Sequence, residues 1–180
     1  MMRRLALAAA LAAFVAAPVS AELPVGAKAP LFATDAALAG KAFAFNLRAA
    51  LAKGPVVLYF YPKAFTKGCT LEARQFAEAA DEFAAAGATV IGMSADDIET
   101  LKRFSTEECR DKFAVGAATP RIVEAYDAAL VRDGNDTGLT ERTSYVIDQT
   151  GRIVFVHSDL DYRDHVRLTL AAVRKLAKEG

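Results

Sequence analysis

Few residues in this chain have side chains able to do redox or nucleophilic chemistry. There are two cysteines, Cys69 and Cys109, and two histidines, His157 and His165. Cys69 stands where a continuous apolar run, residues 56–61, passes through a loop, residues 62–68, into an amphipathic pattern starting at Thr70. A thiol at the start of a helix meets unpaired backbone N–H groups and the positive end of the helix dipole. Both favour thiolate over thiol, and such positions can bring a cysteine from ~8.5 into the range of roughly 3.5–7.5. The thiolate is the form that attacks an electrophilic oxygen. Thr66 precedes Cys69 by three positions, a spacing at which its hydroxyl can reach both the sulfur and an incoming electrophile. Pro62 stiffens the same loop and can shield the sulfur from bulk water, giving the spacing Pro-x-x-x-Thr-x-x-Cys. Gly68, next to the sulfur, is grouped with Thr66 as a substrate-binding position.

Cys109 leaves several readings open. Two cysteines permit one intramolecular bridge, so a structural staple with Cys69 is one. A buried spectator thiol is another. His157 and His165 are isolated, match no metal spacing, and read as structural or surface residues. There is no C-x-x-C pair, no phosphate-cradling glycine loop, and no Gly-x-Ser-x-Gly setting for Ser144 or Ser158. Lys and Arg number 22, as do Asp and Glu, so no charge footprint for nucleic acid or an anionic membrane exists. The chemistry expected at Cys69 requires no metal or organic cofactor.

The elements that must hold these residues follow from the pattern. With 180 residues, no repeat and no internal linker, one domain is expected. Residues 23–30 contain Pro24 and Pro30 and read as extended. Phe43 and Phe45 alternate in a short strand over 41–45, and residues 56–61 form a central strand buried on both faces. One helix is expected over 70–86, with Leu71, Ala73, Phe76, Ala77, Ala80 and Phe83 on its apolar face and Gly87 ending it. Then come a buried strand over 89–93, a helix from Asp96 or Asp97 to about Thr106, a short strand over 113–115 and a short helix near Pro120. A hairpin over 144–157 turning at residues 149–152, and a helix over 162–177, close the chain. This order predicts an α/β, thioredoxin-like fold with a central mixed sheet flanked by helices.

Residues 1–21 form a separate object. Arg3 and Arg4 precede an apolar run over 5–17, Pro18 breaks it, and Val19-Ser20-Ala21 has the small-x-small form of a signal-peptidase site. The run is short for a bilayer core of ~30 Å. A cleaved signal peptide over 1–21 and an exported, periplasmic domain over 22–180 are therefore expected, without stable membrane association after cleavage.

The stretch VVLYFYPKAFTKGCTLEA, residues 56–73, resembles the active-site segment of the peroxiredoxins, most of all the bacterioferritin-comigratory, or Q-type, branch. LPVGAKAPLF resembles that family's N-terminal extension, VIGMSADD its next strand and turn, and RTSYVIDQTGRIVFV its arginine-led hairpin. The resemblance implies reduction of hydrogen peroxide or organic hydroperoxides, with Cys69 as the peroxidatic cysteine and Pro62 and Thr66 as its loop partners. It implies that Arg142 stabilises the thiolate and aligns substrate, and that Glu72 holds Arg142 or Arg74, unless Glu72 is merely a solvated helix-start charge. It gives Cys109 the resolving role, regenerated by a thioredoxin-like reductant, in a chain expected to be monomeric. Three features depart from the branch. Arg74 stands where many members carry the resolving cysteine, Leu101 where a histidine is common, and residues 106–118 are unusual. An exported thiol–disulfide oxidoreductase and a stapled binding domain are the competing functional readings.

Overall fold

The computed structural model describes residues 22–179, so the expected signal segment lies outside the described residues. A β-hairpin comes first, β1 (Ala33–Leu38) and β2 (Lys41–Asn46), followed by the short helix α1 (Leu47–Leu51). β3 (Val56–Phe60), α2 (Lys67–Glu78), α3 (Ala80–Ala85), β4 (Thr89–Ser94), α4 (Ile98–Glu107) and β5 (Ala114–Ala117) then alternate. α5 (Pro120–Ala125), a second hairpin of β6 (Ala129–Arg132) and β7 (Asn135–Thr140), the strands β8 (Thr143–Ile147) and β9 (Ile153–Ser158), and α6 (His165–Glu179) complete the chain.

Seven strands form one sheet in the order β2-β1-β5-β4-β3-β8-β9. β3 runs parallel to β4 and β4 to β5, whereas β1 against β5 and β8 against β3 are antiparallel. The sheet is mixed, as expected. Alternation along β3 divides the core in two. Val57 and Tyr59 face a cluster with Phe76, Phe83, Phe104 and Val173 from the helices α2, α3, α4 and α6. Val56, Leu58 and Phe60 face the opposite cluster, with Leu47, Ile122 and Tyr145. All five β3 residues are buried, which is why the sequence shows a run there rather than alternating polarity.

Three expectations need correction. The single helix over 70–86 is two, with a break at Ala79, and α2 starts earlier, at Lys67. β1 was not anticipated, because its Ala-rich sequence ATDAAL carries little strand signal. It is a strand because β2 and β5 supply partners on both edges. The β6–β7 hairpin was also missed, although Asp133 and Gly134, both at positive φ, form a turn of the kind that Asp-Gly pairs favour.

Gly92 on β4 is required by the packing beneath the reactive helix. A Cβ there would lie 2.6 Å from Cζ of Tyr59, whose ring stacks on Phe76 of α2 with centroids 4.2 Å apart. Gly92→Ala is expected to lower stability by about 1–3 kcal/mol, read from the urea midpoint; an unchanged midpoint would show that Tyr59 is free to move.

Candidate active site

The site is assembled where β3 ends. The loop after Tyr61 is tied at several points before it enters α2. Thr140 donates its hydroxyl to the Tyr61 carbonyl at 2.7 Å, and the Ala64 N–H donates to Asp96 Oδ2 at 2.8 Å. Phe65 adopts φ 62°, a strained backbone for a residue with a side chain. Its ring packs edge-on against Phe104 of α4, with centroids 5.2 Å apart. The half-buried Pro62 occupies the first step of this loop. Cys69 follows as the third residue of α2, within its first turn, and is only 2% exposed.

Arg142 reaches Cys69 through sheet register. β8 pairs antiparallel with β3 so that Thr143 lies opposite Phe60, which sets Arg142 beside the loop that leads to Cys69. Its guanidinium is held on every arm. Nε donates to the Leu160 carbonyl at 2.9 Å, Nη1 pairs with Glu72 Oε2, and Nη2 donates to Cys69 Sγ at 3.3 Å. Gly68 leaves the room this needs, since a Cβ there would sit 3.3 Å from Nη2.

One buried cation therefore faces two acids. Glu72 is wholly buried, so it is not a solvated helix-start charge. It pairs with Arg142, while Arg74 pairs with Glu108 instead. Burial pushes the Glu72 carboxyl up to about 8, against the pull of the Arg142 charge and its hydrogen bond. Burial opposes the charge on Arg142, but Glu72 and Cys69 beside it outweigh that and raise its pKa further.

Thr66 departs from expectation. It is exposed, and its hydroxyl donates to the Lys63 carbonyl at 2.9 Å rather than to the sulfur. The donor on Cys69 is Arg142, and the Thr66 oxygen keeps acceptor capacity toward a substrate O–H. Cys109 lies just past α4, fully buried in the same core cluster as Cys69. Both are free thiols, so the structural staple is not formed here. Burial, then Glu108 and Asp111, push the Cys109 thiol well above its ordinary range.

Sequence reasoning missed the layer behind Arg142. His165, treated as bland, is fully buried and joins Ser144 Oγ at 2.8 Å through Nδ1 and the Asp159 carbonyl at 2.9 Å through Nε2. No sequence motif marks it; an apolar helix beginning with a histidine was the one available signal. Among the described residues no group of three or more His, Cys, Asp or Glu could hold a metal ion. An apolar groove of about 540 Å³ between β2, α1 and α3 contains none of these site residues.

Fold and site define a class: a thioredoxin-like protein whose thiol opens a helix against a buried, carboxylate-paired arginine. The AhpC/TSA family model matches residues 25–156, and the chain belongs to that family. It is similar to peroxiredoxin Bcp of Escherichia coli (strain K12), at 32% identity over 112 residues, covering 61% of this chain and 72% of that protein. Among solved structures it is similar to peroxidoxin BcpB from Mycobacterium tuberculosis, with TM-score 0.73 and 29% identity over 84% of this chain and 97% of that one. Peroxiredoxin Q of Xanthomonas campestris gives TM-score 0.70 and 27% identity, covering 79% and 90% of the two chains. These relatives support placement in the Q-type branch.

Burial also pushes His165 down to about 4, with the Asp159 hydrogen bond acting the other way. A histidine depressed in the fold contributes stability that is present above its unfolded value and lost as pH falls toward the folded one. Wild-type protein is therefore expected to lose stability relative to His165→Gln as pH drops from about 6.5 to 4, measured by urea denaturation at each pH. A constant difference across that window would contradict a buried neutral imidazole.

Proposed function

We propose that the protein is a thiol peroxidase that reduces hydrogen peroxide and organic hydroperoxides. The observation that carries this reading is the Arg142 Nη2–H aimed at Cys69 Sγ in the first turn of α2. A guanidinium there stabilises negative charge on the sulfur and has further N–H capacity to orient a peroxide oxygen. The sulfur attacks one oxygen of the O–O bond. That bond breaks, the second oxygen leaves as hydroxide or alkoxide and takes a proton, and Cys69 becomes a sulfenic acid. Thr66 accepts from the substrate hydroxyl, Pro62 and Gly68 shape the approach, and burial of Cys69 restricts the reaction to a substrate entering through the loop.

Cys109 then condenses with the sulfenic acid, forming the disulfide and releasing water. Its location in the same core cluster supports resolution within one chain, which accords with a monomer. Burial and protonation of Cys109 mean that the segment around it, or the first turn of α2, must open locally before the sulfurs join. A thioredoxin-like dithiol returns the enzyme to its reduced state. The pattern in residues 1–21 supports export to the periplasm, with signal cleavage after Ala21 leaving a domain over 22–180.

Stopped-flow mixing of reduced protein with peroxide is expected to show rapid oxidation that Cys69→Ser abolishes. Cys109→Ser should keep the first oxidation within about twofold yet form no disulfide, and peptide mass spectrometry should map a Cys69–Cys109 bridge only in the wild type. Glutathione or intermolecular adducts alone would remove Cys109 from the resolving role, and inertness toward peroxide would remove the peroxidase. Expressed with its leader, the secreted protein should begin at Glu22 by N-terminal sequencing; retention of residues 1–21 would exclude cleavage.

A further inference from the structure

We infer that His165 is a positioning residue for the reaction of Cys69, acting through the Asp159–Leu160 backbone to hold the Arg142 guanidinium in place. The inference rests on the peroxidase reading and assigns a part of the site for which the sequence carries no motif.

Hydrogen-bond polarity fixes the tautomer of His165. The Asp159 carbonyl can only accept, so His165 Nε2 carries the proton in their 2.9 Å bond. In a neutral ring Nδ1 then accepts, and the Ser144 hydroxyl donates to it at 2.8 Å. Ser144 is fully buried on β8, two residues beyond Arg142, and the imidazole is locked in one tautomer and one orientation by Ser144 and by Asp159 just past β9.

The ring's N–H fixes the peptide that joins Asp159 to Leu160. That peptide lies between two contacts to Arg142. The Asp159 N–H donates to the Arg142 carbonyl at 3.1 Å, and the Leu160 carbonyl accepts from Arg142 Nε at 2.9 Å. Leu160 itself is exposed, with a side chain that packs too little to hold this segment alone. Without the His165 donor, the Leu160 carbonyl would lose its anchor, and Nε is the arm that sets the guanidinium plane. The other two arms, on Glu72 and Cys69, would then turn with it.

The neighbours of His165 favour a neutral ring. Glu72 Oε1 lies 3.9 Å from Nδ1, beyond hydrogen-bond reach, and the tilted His157 ring lies 4.6 Å away between centroids. Arg142 adds positive charge nearby. The second Glu72 oxygen has no donor, so its whole hydrogen-bonded link to the site is the arm from Arg142. A geometry held this way depends on the rail from His165 as well as on the ion pair.

The test uses two near-isosteric replacements, each in a Cys109→Ser background so that Cys69 alone reports. His165→Gln keeps an N–H donor at the Nε2 position, whereas His165→Asn keeps an acceptor for Ser144 and loses that donor. His165→Asn is expected to slow oxidation of Cys69 by peroxide roughly 10- to 100-fold, the scale of an ångström-size misplacement. His165→Gln should stay within about threefold of the parent, and adding His165→Asn to Arg142→Lys should cost less than about twofold further, because the two act as one unit. Equal slowing by Asn and Gln, or an undiminished Asn effect without Arg142, would overturn the inference and leave the peroxidase intact. If the parent ignores peroxide, the peroxidase reading has failed, and iodoacetamide alkylation of Cys69 reads the same comparison. Nitrogen-15 spectra of the wild type provide an arm independent of any variant: protonated Nε2 with bare Nδ1 is expected, and an Nδ1–H tautomer would refute the arrangement.

Discussion

A single positive charge inside a low-dielectric site must serve two acidic groups, and the rest of the site is organised around that constraint. Arg142 is almost fully buried between Glu72 and Cys69. A buried ion pair is a poor source of net stability, because desolvation of both groups offsets their attraction, but removal of one partner leaves an uncompensated charge. The pair therefore specifies geometry. Whatever negative charge gathers on the sulfur draws on the same guanidinium that Glu72 occupies, and burial of Glu72 disfavours its charged form.

Holding a cation in this position needs a rigid frame. The sheet provides it: β3 and β8 are central, paired along five residues, and buried on both faces. The loop between β3 and α2 is held by hydrogen bonds from Thr140 and to Asp96, with Phe65 in a strained conformation over α4. Strain of this kind persists only where the surroundings over-determine it. The segment that carries Cys109 is built differently. Of the ion pairs that tie it to α2 and α3, Arg110–Glu78 and Lys112–Asp81 lie at the surface, whereas Arg74–Glu108 uses a largely buried Glu108. Exposed pairs contribute little each. Cys69 thus sits in the first turn of α2 against Arg142, and Cys109 in a turn past α4 tied to α2 and α3 partly through exposed ion pairs.

Much of this was legible along the chain. The apolar run of β3, the amphipathic helix after it and the cysteine at their junction are local signals. Burial on both faces writes a run, and a half-buried helix writes a 3.6-residue period. Where local signal and tertiary demand diverged, the reading failed. Ala-rich β1 is a strand because of its neighbours, and the local pattern left Glu72 open between a solvated charge and a partner of Arg142 or Arg74, which its burial beside Arg142 decides.

By itself the amino-acid order marked the thiol of Cys69, the helix that carries it and the hairpin led by Arg142, each within a short stretch of neighbouring residues, and the order of elements along the chain set the class of fold. Only the tertiary structure decided which carboxylate holds Arg142, that Thr66 turns its hydroxyl to Lys63, that Cys109 is buried and free, and that His165 stands behind the guanidinium. The longest of those contacts, from Arg142 to Glu72, joins residues 70 positions apart. Pairings of that kind are set by strand register and by burial, which no local window of sequence contains.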